Sequence, residues 1–192
     1  MKLSRTSAAL SVFAACLTAG LMALPASADY GGPLPTFKHL FNEAVQKVRA
    51  KPTFKRAVML EVDGYTKNRQ PVRRARGIVR VRFVFNNQGT PNSKFASAFL
   101  RFGPPPKLFG SVHGVTEPFL EDRQIPHAPK MSLQHAVKDL RHAGFHQRFT
   151  DVTLRKPLEQ GKTHPLYIFG LGKKGQKFVA VDTVTHTVQP IS

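Results

Sequence analysis

From Phe37 onward the chain switches between two hydrophobic spacings. Phe37, Leu40, Phe41, Ala44, Val45 and Val48 recur every three or four positions, which lines one face of an amphipathic helix. Thr36 stands where a capping side chain is wanted, and Pro52 limits the far end. "FKRAVMLEVDGY" then reads at period two: Val58, Leu60 and Val62 on one side, Glu61 and Asp63 toward water, and a turn beginning at Asp63-Gly64. Ile78 to Phe85 is a second strand, Lys94 to Phe102 a third, and Leu108 to Val112 a short fourth. Residues 115–130 hold three prolines and no sustained period, the pattern of a linker.

After the linker the order restarts. Ser132 caps a helix whose apolar face is Leu133, Ala136, Val137 and Leu140, and Gly144 suits the left-handed position past its end. "FTDVTL", "LYIFGL" and "KFVAVD" are strands, and "TVQPI" is a short closing one, with "GKKGQ" as a tight turn. The predicted class is α+β, with two tandem helix-on-antiparallel-sheet units. They span 29–114 and 131–192 and are joined by the linker at 115–130. The helices lie about 95 residues apart, too far for a solenoid array and consistent with a duplication. Glu43-Ala44-Val45 answers His135-Ala136-Val137, and Val58-Met59-Leu60 answers Val152-Thr153-Leu154.

The helix "SLQHAVKDLRHAGF", the strand "VTL" and the closing "PLYIFGL…KFVAVDTVTHTV" carry a family likeness. Through them the second unit resembles the PepSY-like family of small extracytoplasmic domains. Val179-Ala180-Val181-Asp182 matches that family's closing hairpin, but Thr185-His186 stands where Thr-Gly is usual. The likeness is good over about 60 residues and faint over 37–102. It implies a helix packed on an antiparallel sheet, in a non-catalytic module that binds or inhibits exported proteins. Two such copies are similar, at the level of fold, to the beta-lactamase inhibitory protein architecture, whose disulfides have no counterpart here.

The first 28 residues change the cellular picture. Lys2 and Arg5 precede an apolar run from Ala8 to Leu24, and Ala26-Ser27-Ala28 is a small-x-small site. That layout predicts a cleaved signal peptide over 1–28 and a periplasmic or secreted protein. A membrane anchor and lipidation at Cys16 are the alternatives, the second resting on the loose lipobox Val12 to Cys16. Cys16 is the single cysteine, so a chain starting at Asp29 has no disulfide and no thiolate site.

Charge is the strongest global signal. The chain carries 29 Lys+Arg against 11 Asp+Glu, net +18 with His neutral. Such a field attracts acidic proteins, anionic envelope polymers and anionic membrane surfaces. Period two in "IVRVRFVF" puts Arg76, Arg80 and Arg82 on one sheet face, with Arg73 and Arg74 just before them and Arg101 on the next strand. These six are the expected anion- or partner-binding residues, since guanidinium forks grip carboxylate and phosphate. Lys67 and Arg69 sit in the preceding loop. Aromatics are not interleaved on that face and Trp is absent, which disfavours specific nucleic-acid binding.

Catalytic motifs are missing: no His-Glu-x-x-His, no Gly-x-Ser-x-Gly and no phosphate loop. "GLGKKG" lies between strands and reads as a basic hairpin turn. His135 and His142 lie two helical turns apart, about 10 Å along the axis, too far for one ion. Solvated histidines, no metal and no cofactor are therefore expected. The expected function is an exported, non-enzymatic binding or inhibitory module whose partner is an acidic protein or anionic envelope polymer. A small exported hydrolase with a site assembled only in the fold, and a structural envelope protein held by charge, are the alternatives.

Overall fold

The computed structural model describes residues 36–88, 93–103, 108–119, 122–159, 161, 163–172 and 177–191. The leader with Cys16, Glu121, prolines 104–106 and turn residues 173–176 lie outside them. Helix α1 (Phe37–Arg49) buries Leu40, Phe41, Ala44 and Val48, and Thr36 Oγ1 accepts from His39 N at 3.4 Å. Helix α2 (Leu133–His142) buries Leu133, Ala136, Val137 and Leu140 under a Ser132 cap. Gly144 follows it at φ 87°, where a left-handed residue closes the helix end. Among the described residues no helix is long and apolar enough to cross a membrane.

Among the described residues nine strands accompany the helices, five between α1 and α2 and four after α2: β1 (Ala57–Thr66), β2 (Ile78–Asn87), β3 (Ser97–Phe102), β4 (His113–Val115), β5 (Asp122–Arg123), β6 (Phe149–Pro157), β7 (Leu166–Leu171), β8 (Lys177–Asp182) and β9 (Val188–Ile191). They form an antiparallel sheet in the order β4-β3-β2-β1-β6-β7-β8-β9, with β5 pairing to β6. Each helix thus precedes a meander, and the two meanders meet at β1 and β6. The class is α+β. One hydrophobic core gathers residues of both halves: Val81, Phe83 and Phe85 with Val152, Leu154 and Phe169, under α1 and α2. Phe37 of α1 meets Tyr167 of β7 edge to face at 5.8 Å, so the first helix reaches into the second half.

Three expectations need correction. The alternation Val58, Leu60, Val62 does not hold through β1. The register runs Met59↔Phe85 and then Glu61↔Val84, so Leu60 is the extra residue of a bulge. The core face is therefore Ala57 and Met59 before the bulge and Val62 after it. Asp63-Gly64 does not begin a turn, for β1 runs on to Thr66. Gly64 is small because a Cβ there would lie 3.0 Å from Ile78 and 3.1 Å from Val152. The fourth strand is displaced: Phe109 makes a single bridge to Phe102, and the ladder forms at His113–Val115.

The expected linker is largely built into the body. Ser97 Oγ donates to Glu117 O and accepts from Phe119 N, and Phe119 stacks edge-on against Phe99 at 5.3 Å. Ile125 N donates to Met59 O at 2.8 Å, and Ile125, Ala128 and Met131 are buried. Their three-residue spacing was hidden by the prolines between them. Ile125→Ala should therefore cost about 2–4 kcal/mol in urea unfolding, as for a core position. A loss under about 0.5 kcal/mol would mark the segment as a true linker.

Candidate functional site

The helices cover one face of the sheet. On the other, the register sets Arg82 between Asp63 on β1 and Arg101 on β3. Tyr65 stands opposite Arg80, and Thr153 of β6 opposite Asp63. Arg82 binds Asp63 Oδ2 at 2.7 Å and Glu61 Oε1 at 3.3 Å. Thr153 Oγ1 donates to Asp63 Oδ1 at 2.9 Å. Beside this cluster Arg155 Nε donates to Asp122 Oδ1 at 2.7 Å. At this end Phe119 also packs edge-on against Phe99 of the same face. Asp63, expected toward water, is only 5 % exposed. Arg82 and Thr153, both bonded to its carboxylate, enclose it.

Burial, reinforced by the negative charges of Asp63 and Asp122, pushes the Glu61 carboxyl from 4.5 up to about 8, against the opposing pull of Arg82. The folded state thus holds this proton where the unfolded chain has released it. Stability is full below about pH 4.5 and falls as pH rises toward about 8. Glu61→Gln should flatten this window. At about pH 9 it should unfold later than the parent by on the order of 1–2 kcal/mol, a value reduced for solvent screening, and at about pH 4 it should match it. Denaturant midpoints across pH measure this; parallel profiles would remove the buried-acid account.

At the other end the face is open. Tyr65, Arg69, Arg80, Arg82, Arg101 and Phe102 line a cavity of about 470 Å³, with Gly103 at its rim. Gly103 has φ 88°, and a Cβ there would strike the Val79 carbonyl at 2.5 Å, so only glycine closes β3 at this edge. Arg69 also has a positive φ, 57°. That conformation carries its guanidinium to 4.5 Å from the Tyr65 ring and 3.1 Å from Asp151. Arg82 and Arg101 face each other across strands, a like-charge pair that is unfavourable alone. Asp63 offsets Arg82. Arg80 and Arg101 are exposed and form no ion pair among the described residues.

Of the six expected residues, Arg80, Arg82 and Arg101 converge on this cavity. Arg76 does not share the strand's alternation, because Ala75–Gly77 form one turn of 3₁₀ helix before β2. Arg73 lies at the end of α2, where its carbonyl accepts from Arg141 Nη2 at 3.3 Å. Arg74 precedes the 3₁₀ turn and is exposed. Tyr65 was missed as a lining residue because the turn expected at Asp63-Gly64 would have ended the strand before it.

His135 and His186 are exposed, yet they converge on one carboxylate. His135 Nε2 lies 3.5 Å from Asp139, and His186 Nδ1 lies 2.8 Å from the same carboxylate. Asp182 arranges the turn between β8 and β9: its Oδ1 accepts from Val184 N at 2.8 Å and Thr185 N at 2.9 Å. Burial would raise this carboxyl, but those two N–H groups and His164 hold it below its ordinary range. Comparison with protein-family models, curated proteins and solved structures gives no match for this chain.

Proposed function

We propose that the protein is an exported, non-enzymatic binding or inhibitory module. Its partner is an acidic protein or an anionic envelope polymer, held at the open end of the second sheet face. The observation that carries this reading is the pair Arg80 and Arg101, unpaired among the described residues, in one cavity with Arg69 and Arg82. The cavity volume, about 470 Å³, suits a carboxylate- or phosphate-bearing group rather than a long apolar ligand. Arg82, anchored by Asp63, offers a fixed fork, and Arg80 and Arg101 supply the uncompensated charge. The two helix-plus-meander halves fit a tandem PepSY-like origin, and the leader fits export to the periplasm or beyond. Loose contact with anionic membrane surfaces follows from the net charge.

A hydrolase reading has one observation on its side, the raised Glu61 carboxyl. Neither Glu61 nor Asp63 lines the cavity, and both are engaged by Arg82. The binding reading therefore accounts for more of the geometry.

The test is capture from an envelope extract at about 0.15 M salt, where screening reaches about 8 Å. The parent chain should retain a discrete acidic partner, and Arg80→Glu/Arg101→Glu should lose at least about 10-fold of it. Arg82 is left alone because its substitution would leave Asp63 buried without its partner. Equal recovery by both forms would overturn the arginine site. Recovery that fades with salt and ignores these substitutions would point to a structural protein held by net charge.

A further inference from the structure

We infer that His135, Asp139 and His186 form a binding site for a divalent metal ion of the zinc class. Their ligand atoms lie within 4.8 Å of one another. His135 and Asp139 are one turn apart on α2, so both project from the same side of that helix. His186 arrives from the turn between β8 and β9. Tetrahedral zinc, with bonds of about 2.0–2.1 Å, needs ligand atoms about 3.3 Å apart. The distances of 2.8 Å and 3.5 Å to the shared carboxylate bracket that value. The imidazole rings stand 4.9 Å apart and steeply inclined, close enough to serve one ion.

Two further observations point the same way. His186 has φ 64°, a conformation that glycine adopts freely and histidine does not. The strained backbone directs its Nδ1 at Asp139, and strain of this kind collects at functional positions. His135 and His186 also line a cavity of about 600 Å³, together with His127, His164, Met131 and Pro165. Three protein ligands beside an accessible cavity leave a fourth position for water or a small ligand. The donor set selects the metal: two imidazoles and one carboxylate suit zinc, copper or nickel, whereas calcium and magnesium ask for oxygen donors.

The test uses the full exported chain without a histidine tag, stripped with a chelator and titrated with Zn²⁺ in a calorimeter. One-to-one saturable binding is expected, and Co²⁺ should give the visible absorption of a low-coordinate site. His186→Gly relieves the positive φ while removing a ligand, so lost binding cannot be blamed on misfolding. That variant and Asp139→Asn should each weaken Zn²⁺ binding at least about 10-fold and abolish the Co²⁺ band. No saturable binding by the parent chain would overturn the site. So would unchanged binding in His186→Gly, including binding that disappears only on substitution of His127 and His164.

Discussion

The pairing of β1 with β6 is the constraint on which the rest of the molecule depends. Five registered pairs, Glu61↔Arg155 to Tyr65↔Asp151, join two meanders into one sheet. On the covered face this brings Val62 and Gly64 against Leu154 and Val152, so two small cores become one. A larger core buries a greater share of the chain's surface, which matters for a chain whose single cysteine can form no internal disulfide. On the other face the same register sets Asp63 beside Thr153 and Tyr65 beside Asp151. A slip of one residue would turn Asp63 into the core and Val62 into water. Register is thus fixed on both faces at once, by packing on one and by the Thr153–Asp63 hydrogen bond on the other.

The arginines of the second face fall into two kinds. Arg82 is half-buried, with both Asp63 and Glu61 within reach. A buried pair gains little net stability, since desolvation offsets the attraction, but it fixes geometry. Glu61 shows the cost: it is partly buried beside Asp63 and Asp122, and desolvation with their charges outweighs the pull of Arg82. Arg80 and Arg101 lie at the wet end, keep their hydration and are available to an outside anion. Phe119 against Phe99 and Asp122 against Arg155 mark the drier end of this face.

What the sequence made legible was whatever is decided locally. β7 and β8 were read to the residue because β-branched and aromatic positions cluster between clear turns. The two helices were read because Thr36 and Ser132 cap apolar stripes of helical period. The period-two argument placed Arg80 and Arg82 correctly on the face away from the helices. It failed for Arg76, since a 3₁₀ turn interrupts the alternation. The bulge at Leu60 was invisible because it exists only in relation to β2, and it decides which side Glu61 and Asp63 take. Ile125, Ala128 and Met131 were hidden among prolines that break any period. The His135, Asp139 and His186 cluster was missed for a related reason. Helical spacing joins only His135 and Asp139, and the third member lies 47 residues from Asp139.

Three residues other than glycine take positive φ among the described residues: Asn68, Arg69 and His186. Asparagine tolerates that region through its own side-chain hydrogen bonding, but arginine gains nothing local from it. Each such residue costs about 1 kcal/mol or more and persists only where its surroundings determine it. For Arg69 the surroundings are Tyr65 and Asp151, and the conformation completes the basic cavity. For His186 they are the Asp182 turn and the Asp139 carboxylate, and the conformation completes the histidine cluster. The two sites share no residue and lie in different halves of the sheet. Yet each is finished by a strained side chain from a turn, set against groups held rigidly by a strand or a helix. That division of labour lets the sheet stay well packed while the turns at its ends shape the two clusters.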